Sequence, residues 1–289
     1  MSKSKVIGFI GTGVMGKSMA AHILKAGYSL IVYNRTKDKA EELISQGAIW
    51  SGSPAEVARQ ADVIITIVGY PSDVESVYLG ENGILQHAKK NSIVIDMTTS
   101  SPVLAKKIYA EARSKGIDSF DAPVSGGDIG AKNAKLSIMV GGDKTAFPTI
   151  KPLLELMGTN IVYQGGAGAG QHTKMCNQIA IASNMMGVSE ALAYAEKAGL
   201  NPDTVLESIT SGAAGSWSLS NLVPRMIKED YSPGFFIKHF IKDLKISLDS
   251  AKQMELRTPG LELALSLYEE LAENGEENSG TQALIKYYR

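Results

Sequence analysis

Apolar and polar positions over the first 164 residues follow a pattern that is typical of parallel α/β proteins. Short apolar runs of strand length alternate with amphipathic segments of helix length, which indicates βαβ units and a largely parallel sheet. The predicted strands are Val6–Ile10, Leu30–Tyr33, Val63–Val68, Ile93–Met97, Ile117–Asp121, Leu136–Val140 and Ile161–Tyr163. Helices are predicted between them, including Met15–Lys25, Lys37–Ser45, Pro102–Ser114 and Thr145–Met157.

The strand pattern stops near Gly165, and the remaining sequence has a helical pattern. The stretch from Thr173 to Ala198 contains no proline, and Gly199 is a good helix stop. We therefore predict one long helix of about 35–40 Å at 1.5 Å rise per residue. Further helices are predicted at Pro202–Thr210, Trp217–Ile227, Lys238–Met254, Leu261–Ala272 and Thr281–Tyr287. The pattern thus predicts an α/β domain over residues 1–164 and an all-α domain over residues 165–289, joined by the long helix.

The composition of the chain argues against several kinds of binding partner and site. The net charge is −1, from 29 basic and 30 acidic residues, so no overall field favours nucleic acid or an anionic membrane. The one cysteine, Cys176, and four scattered histidines predict neither an intramolecular disulfide nor a metal site. Every apolar run is too short for a membrane helix, and the N-terminal run is broken by glycine, unlike a signal peptide. We expect a soluble, cytoplasmic protein.

A glycine-rich turn joins the first strand to the first helix. A G-x-G-x-x-G motif in this context predicts a dinucleotide site, with the pyrophosphate at the N-terminus of the helix. Gly11 permits the tight turn, Gly13 lets the pyrophosphate approach, and Gly16 allows close packing of helix on strand. The competing interpretation, a merely tight βα turn without a ligand, is disfavoured by this context. The predicted cofactor contacts here are Gly11, Thr12, Gly13, Val14, Met15 and Gly16.

The segment after the second strand bears on the choice of nicotinamide cofactor. An acidic residue here would bind the ribose 2′-hydroxyl, whereas the sequence has Asn34-Arg35-Thr36. Arginine is the expected partner of a 2′-phosphate, so we predict a preference for NADPH, with NADH as the alternative cofactor. The competing interpretation is a solvated Arg35 and a Thr36 that only caps the next helix. Later strand ends add three predicted cofactor contacts, Val68, Gly69 and Thr99.

Three further segments predict a substrate site. Lys174 and Asn177 lie one turn apart on the long helix, where a lysine can donate a proton to a forming alkoxide beside a substrate-binding amide. A second segment, Ser125-Gly126-Gly127, exposes backbone N–H groups beside a hydroxyl and is interpreted as a carboxylate cradle rather than a plain glycine turn. Lys242, on a predicted helix, can pair with the same carboxylate, although alone it would be interpreted as a surface lysine.

With these motifs, the chain resembles the β-hydroxyacid dehydrogenase family. The resemblance rests on Gly8 through Gly16, Asp121 through Gly127, Gly168 through Asn177, and Lys242-Asp243-Leu244. It implies that Lys174 is the catalytic acid/base, that Ser125, Gly126 and Gly127 hold a substrate carboxylate, that Asn177 orients the substrate, and that Lys242 lines the site beside the nicotinamide. It also implies a Rossmann-like domain, a long connecting helix and a helical domain that forms homodimers or homotetramers. Two departures are Ala134-Lys135, where the family often has Gly-Thr, and Gln178, where a second Asn is common.

The expected reaction is NAD(P)-dependent interconversion of a small β-hydroxy acid and its semialdehyde. The candidate substrates are 3-hydroxyisobutyrate, succinic semialdehyde, glyoxylate and tartronate semialdehyde. Three alternatives stay open: an imine reductase, a decarboxylating sugar-acid dehydrogenase, and a non-catalytic NADPH-binding module. Lys174 argues against imine reductases, which generally replace it, and the sugar-phosphate enzymes have a much longer helical half. A binding module would be expected to lose the lysine or to carry extra domains.

Overall fold

The computed structural model describes residues 2–289 and divides the chain into two compact units. The division falls between Lys174 and Met175, whereas the sequence predicts a boundary after residue 164. The N-terminal unit contains all nine strands: β1 Val6–Ile10, β2 Ser29–Tyr33, β3 Ile49–Trp50, β4 Val63–Thr66, β5 Ile93–Asp96, β6 Asp118–Asp121, β7 Val124–Ser125, β8 Leu136–Gly142 and β9 Gly158–Gly165. Its helices are α1 Val14–Lys25, α2 Glu41–Ser45, α3 Pro54–Gln60, α4 Pro71–Leu79, α5 Ile84–His87, α6 Pro102–Ser114, α7 Gly127–Lys132 and α8 Phe147–Leu154, with a 3₁₀ turn at Lys37–Ala40.

The nine strands form one sheet in the order β3-β2-β1-β4-β5-β6-β8-β7, with β9 paired to β8. The first six strands in this order are parallel, and β8 runs antiparallel to β6 and β7. Alternate residues of the central strands point to opposite faces. Ile65 and Ile95 accordingly belong to one hydrophobic cluster, and Ile64 and Val94 to another. Helices therefore cover both faces, as the apolar strand pattern predicts.

The long helix α9 spans Ala169–Lys197, and the division between the units lies within it. The C-terminal unit continues with α10 Pro202–Ile209, α11 Trp217–Asn221, α12 Val223–Ile227, α13 Ile237–Gln253 and α14 Pro259–Leu271, followed by a π-type turn at Ala272–Glu276 and a 3₁₀ helix at Thr281–Tyr287. Its core packs Phe240 edge-on against Tyr268, with ring centroids 5.0 Å apart. The buried hydroxyl of Tyr268 donates to the carbonyl oxygen of Thr281 at 2.9 Å, which fixes the last helix to this core.

The predicted fold class, a Rossmann-like α/β domain joined by a long helix to an all-α domain, is confirmed. Some element predictions are wrong in detail. The helix predicted at Trp217–Ile227 is broken at Leu222, because Pro224 cannot donate a helical hydrogen bond. The helix predicted at Lys37–Ser45 begins as a 3₁₀ turn. Among residues 2–289, no helix combines the length and the apolar character that crossing a membrane requires.

Candidate active site

The carboxyl ends of five adjacent strands lie side by side at one edge of the sheet. Ile10 pairs in register with Tyr33 on one side and with Thr66 on the other, and the row continues through Asp96 to Asp121. The loops that follow these strands therefore leave the sheet at a common edge, which is where ligands bind in open parallel sheets. These loops carry most of the residues that the sequence predicts for the cofactor.

The glycine turn has the backbone shape that a pyrophosphate requires. Gly11 has a φ of 99° and donates its N–H to the carbonyl oxygen of Tyr33 at 2.9 Å. A methyl group on Gly16 would clash with the carbonyl oxygen of Gly11, so only glycine allows this approach of helix to strand. A methyl group on Gly13 would instead meet no atom within 4 Å. No side chain caps α1, so this open side and the first N–H groups of the helix fit a dinucleotide diphosphate.

Asn34 connects the glycine turn to the segment predicted to recognise the 2′-phosphate. Its Oδ1 accepts from the N–H of Thr12 at 3.0 Å, and its Nδ2 donates to the carbonyl oxygen of Thr36 at 2.8 Å. The side chain of Arg35 is 87% exposed and touches Asp73 at 3.5 Å. Thr36 is exposed and makes no side-chain capping bond to the next helical turn. Asn34 therefore shapes the loop, while Arg35 presents the charge.

Buried Asp96 organises the next two strand ends. Its Oδ1 accepts from the hydroxyl of Thr66 at 2.8 Å and from the N–H of Thr98 at 3.1 Å. The hydroxyl of Thr98 in turn accepts from the N–H of Val68 at 3.0 Å. The predicted contacts Val68, Gly69 and Thr99 are partly exposed beside this network. Asp96 and Thr98 were not predicted individually from the sequence, because each has a partner 30 residues away, Thr66 for Asp96 and Val68 for Thr98.

The start of α9 is held by two buried side chains, Asp121 and Gln171. The Asp121 carboxylate accepts from the N–H of Gly168 at 2.7 Å and from the N–H of Gln171 at 2.8 Å. The side-chain amide of Gln171 accepts from the N–H of Ser100 at 2.9 Å and donates to the carbonyl oxygen of Thr98 at 2.7 Å. Lys174 follows Gln171 by three residues and is 6% exposed. Its backbone is therefore fixed relative to the loop that carries Thr99.

The predicted carboxylate cradle begins on a short strand. Ser125 ends β7 and pairs with Ser137 of β8. Gly126 and Gly127 follow with φ values of 128° and 63°, in the region that favours glycine, and Gly127 begins α7. Ser125 and Gly127 are partly exposed and Gly126 is exposed. Neither β7 nor α7 was predicted from the sequence.

Two predicted substrate contacts, Asn177 and Lys242, belong to the C-terminal unit. Asn177 is partly exposed on α9, one turn after Lys174. Lys242, on α13, forms an ion pair with Asp243 in which Nζ lies 3.0 Å from Oδ1. The other predicted site residues belong to the N-terminal unit. Within residues 2–289, no cluster of three or more His, Cys, Asp or Glu side chains could hold a metal ion.

Comparisons with known proteins identify relatives along the whole chain. The profile described as the NAD binding domain of 6-phosphogluconate dehydrogenase matches residues 6–166, and the profile described as NAD-binding of NADP-dependent 3-hydroxyisobutyrate dehydrogenase matches residues 168–288. An oxidoreductase of Bacillus subtilis, YkwC, is 61% identical over 98% of this chain and 99% of its own. The 2-hydroxy-3-oxopropionate reductase of Escherichia coli is 41% identical over 97% and 96% of the two chains. A structure of Mycobacterium tuberculosis 3-hydroxyisobutyrate dehydrogenase with L-serine is 30% identical, with a TM-score of 0.91 and 99% coverage of both chains.

Asp121 makes the stability of the N-terminal unit depend on pH. Burial raises the pKa of Asp121 from 3.8 to about 6, against the lowering effect of its backbone hydrogen bonds, and the Asp96 charge raises it further. The carboxyl is therefore harder to ionise in the folded protein than in the unfolded chain. Its contribution to the free energy of unfolding is fully present below pH 3.8 and is lost as the pH rises through about 6. About two pKa units correspond to about 3 kcal/mol.

We therefore expect the free energy of unfolding of the wild type, relative to Asp121→Asn, to fall by about 2 kcal/mol between pH 4 and pH 7, since part of the full effect is already lost at pH 4. Asp121→Asn also replaces an acceptor oxygen with an NH₂ group, but the free-energy cost of that replacement does not change with pH. It therefore does not affect the predicted change between the two pH values. Urea unfolding followed by Trp50 fluorescence, with Trp217→Phe in both proteins, reports on the N-terminal unit. A difference that does not change with pH would contradict the assignment.

Proposed function

Since this chain belongs to the β-hydroxyacid dehydrogenase family, we propose that it interconverts a small β-hydroxy acid and its semialdehyde with NADP(H), using Lys174 as the acid/base. The chain is an NAD(P)-dependent oxidoreductase that acts on a CH–OH group. The observation that carries the proposal is the anchoring of α9 by Asp121 and Gln171, which holds the backbone of Lys174 beside the strand ends of the dinucleotide site.

In this proposal, residues of the protein bind and orient the cofactor and the substrate and supply a proton to the substrate. A nicotinamide cofactor, when bound, would supply the hydride chemistry. The glycine turn and the first N–H groups of α1 would hold its diphosphate. Lys174 donates a proton to the carbonyl oxygen as it becomes an alcohol and removes the hydroxyl proton in the reverse direction. Its burial keeps bulk water from competing for that proton.

The substrate proposal follows from shared chemistry. Two of the relatives are a 2-hydroxy-3-oxopropionate reductase and a 3-hydroxyisobutyrate dehydrogenase, and the structure of the latter is with L-serine. Each has a three-carbon core with a carboxylate at one end and an oxygen on the third carbon. Ser125, Gly126 and Gly127 are proposed to bind the carboxylate, with Asn177 orienting the substrate and Lys242 adding positive charge.

We further propose that the protein forms a homodimer or homotetramer. Trp217 and Leu263 of the C-terminal unit are exposed and supply apolar area for such an interface.

A substrate panel tests the proposed function. The purified protein is assayed at 340 nm with NADPH, and separately with NADH, on succinic semialdehyde, glyoxylate, 2-hydroxy-3-oxopropionate and methylmalonate semialdehyde. The reverse reaction is assayed with NADP⁺, and separately with NAD⁺, on 3-hydroxyisobutyrate and L-serine. We expect turnover with NADPH to be fastest on a member with the three-carbon core. Tight NADPH binding without turnover on any member would contradict the proposal.

Replacement of Lys174 tests the proton donor. Lys174→Met keeps an apolar stem of similar length but removes the amine, so we expect kcat to fall by about 10²–10⁴-fold. NADPH affinity, measured by fluorescence titration, should change less than about threefold. Lys197→Met, in the exposed last turn of the same helix, is the matched control. Near-normal kcat in Lys174→Met would exclude the mechanism.

Replacement of Arg35 tests the cofactor preference. Arg35→Gln removes the charge proposed to meet the 2′-phosphate, so we expect the KM for NADPH to rise about tenfold and the KM for NADH to change less than about twofold. Lys37→Gln, two residues away and also exposed, controls for general loss of positive charge. Equal effects on both cofactors would refute recognition of the 2′-phosphate by Arg35.

A further inference from the structure

A buried chain of polar contacts in the C-terminal unit joins the two residues predicted to contact the substrate from this unit. Nδ2 of Asn177 donates to Oε1 of Gln178 at 2.7 Å, and Nε2 of Gln178 donates to Oδ2 of Asp243 at 2.7 Å. Oδ1 of Asp243 then lies 3.0 Å from Nζ of Lys242. Gln178 and Asp243 are each 1% exposed. The chain therefore runs from α9 to α13 through two groups shielded from water.

The charge of Asp243 fixes the direction of both hydrogen bonds in this chain. An ionised carboxylate can only accept, so the amide nitrogen of Gln178 must face Asp243. The amide oxygen of Gln178 must then face Asn177, which has to present its own nitrogen. Rotating either amide by 180° would place two acceptors or two donors against each other in a buried site, which is costly.

We propose that Gln178 is a positioning residue that fixes the side-chain amide of Asn177 for substrate binding. With its nitrogen held by Gln178, the amide of Asn177 directs its carbonyl oxygen away from Gln178. The second N–H of the same nitrogen can then donate to the hydroxyl oxygen of a β-hydroxy acid, whose single proton goes to Lys174. Gln178 thus favours ligands that carry a hydroxyl group over carboxylates that lack one. This inference rests on the proposed function.

The reach of the glutamine side chain matters to this role. Both of its hydrogen bonds are 2.7 Å long, so they leave little slack. An asparagine at this position would be shorter by one carbon–carbon bond, about 1.5 Å, and could not span Asn177 and Asp243 together. Gln178→Asn retains the amide but not the reach, whereas Gln178→Met retains the length but not the polarity.

Kinetic comparison of these variants tests the inference. We expect both Gln178→Met and Gln178→Asn to lower kcat/KM for the hydroxy acid about tenfold, with NADPH affinity unchanged. The inhibition constant of the matching deoxy carboxylate, isobutyrate for 3-hydroxyisobutyrate, should change less than about twofold. Gln253→Met, at the exposed end of α13, is the matched control. Equal losses for the hydroxy acid and the deoxy carboxylate would overturn the inference.

A double-mutant cycle separates positioning from a structural role. If Gln178 acts through Asn177, Gln178→Met should cost nothing further in an Asn177→Ala background. Additive losses would overturn the inference.

An NMR measurement that does not depend on activity keeps this result distinct from failure of the proposed function. The side-chain ¹⁵N–¹H resonances of Asn177 are assigned by their loss in Asn177→Asp. These resonances should shift in Gln178→Met but not in Gln253→Met. Unmoved resonances would show that Gln178 does not hold the amide, whatever the substrate.

Discussion

The carboxylate of Asp121 at the start of α9 is the interaction on which the candidate site depends. A helix begins with N–H groups that lack partners, and Asp121 accepts from two such groups. No Cβ would fit at Gly170, whose neighbours are the carbonyl oxygens of Met139 and Asp121. The helix thus begins in direct contact with the sheet edge. Without this acceptor, the buried N–H groups would be unsatisfied and the backbone of Lys174 would lose its fixed position.

One face of α9 carries both a residue that anchors the start of the helix and the residue proposed as the proton donor. Gln171, Lys174 and Gln178 are spaced at i, i+3 and i+7, so they share one face of the helix, and all three are buried. Each glutamine has both amide atoms bonded within its own unit. The proposed proton donor therefore lies between two buried amides that cannot rotate. Such preorganisation limits the reorganisation that proton transfer would otherwise require.

Local motifs were predictable from the sequence, and contacts between distant segments were not. The glycine turn and the Lys174–Asn177 pair are recognisable because their spacing follows from a single turn or a single helix. Asp121 was visible only as part of a motif, since its partners lie 47 and 50 residues further along the chain. From the sequence, Gln178 could be recognised only as a departure from the family pattern. Its proposed positioning role depends on a hydrogen bond to Asp243, which lies 65 residues away. The two-residue strand β3 was missed because two residues carry no periodicity.

The geometry around Arg35 also limits how cofactor selectivity is achieved. Asn34 is engaged by backbone groups on both sides, so the charge of Arg35 is the main distinguishing feature of this loop. The side chain is exposed, and its contact with Asp73 is long, so meeting a phosphate requires little desolvation or loss of existing bonds. Exposed ion pairs contribute only about 0–1 kcal/mol, and hydrogen bonds to charged groups contribute about 1.5–3 kcal/mol. The Asn34-Arg35-Thr36 segment has no acid that would bind the NADH ribose, so the proposed selectivity rests on the attraction between Arg35 and a 2′-phosphate, against the nearby charge of Asp73. We infer a moderate preference for NADPH that weakens as salt screens the guanidinium.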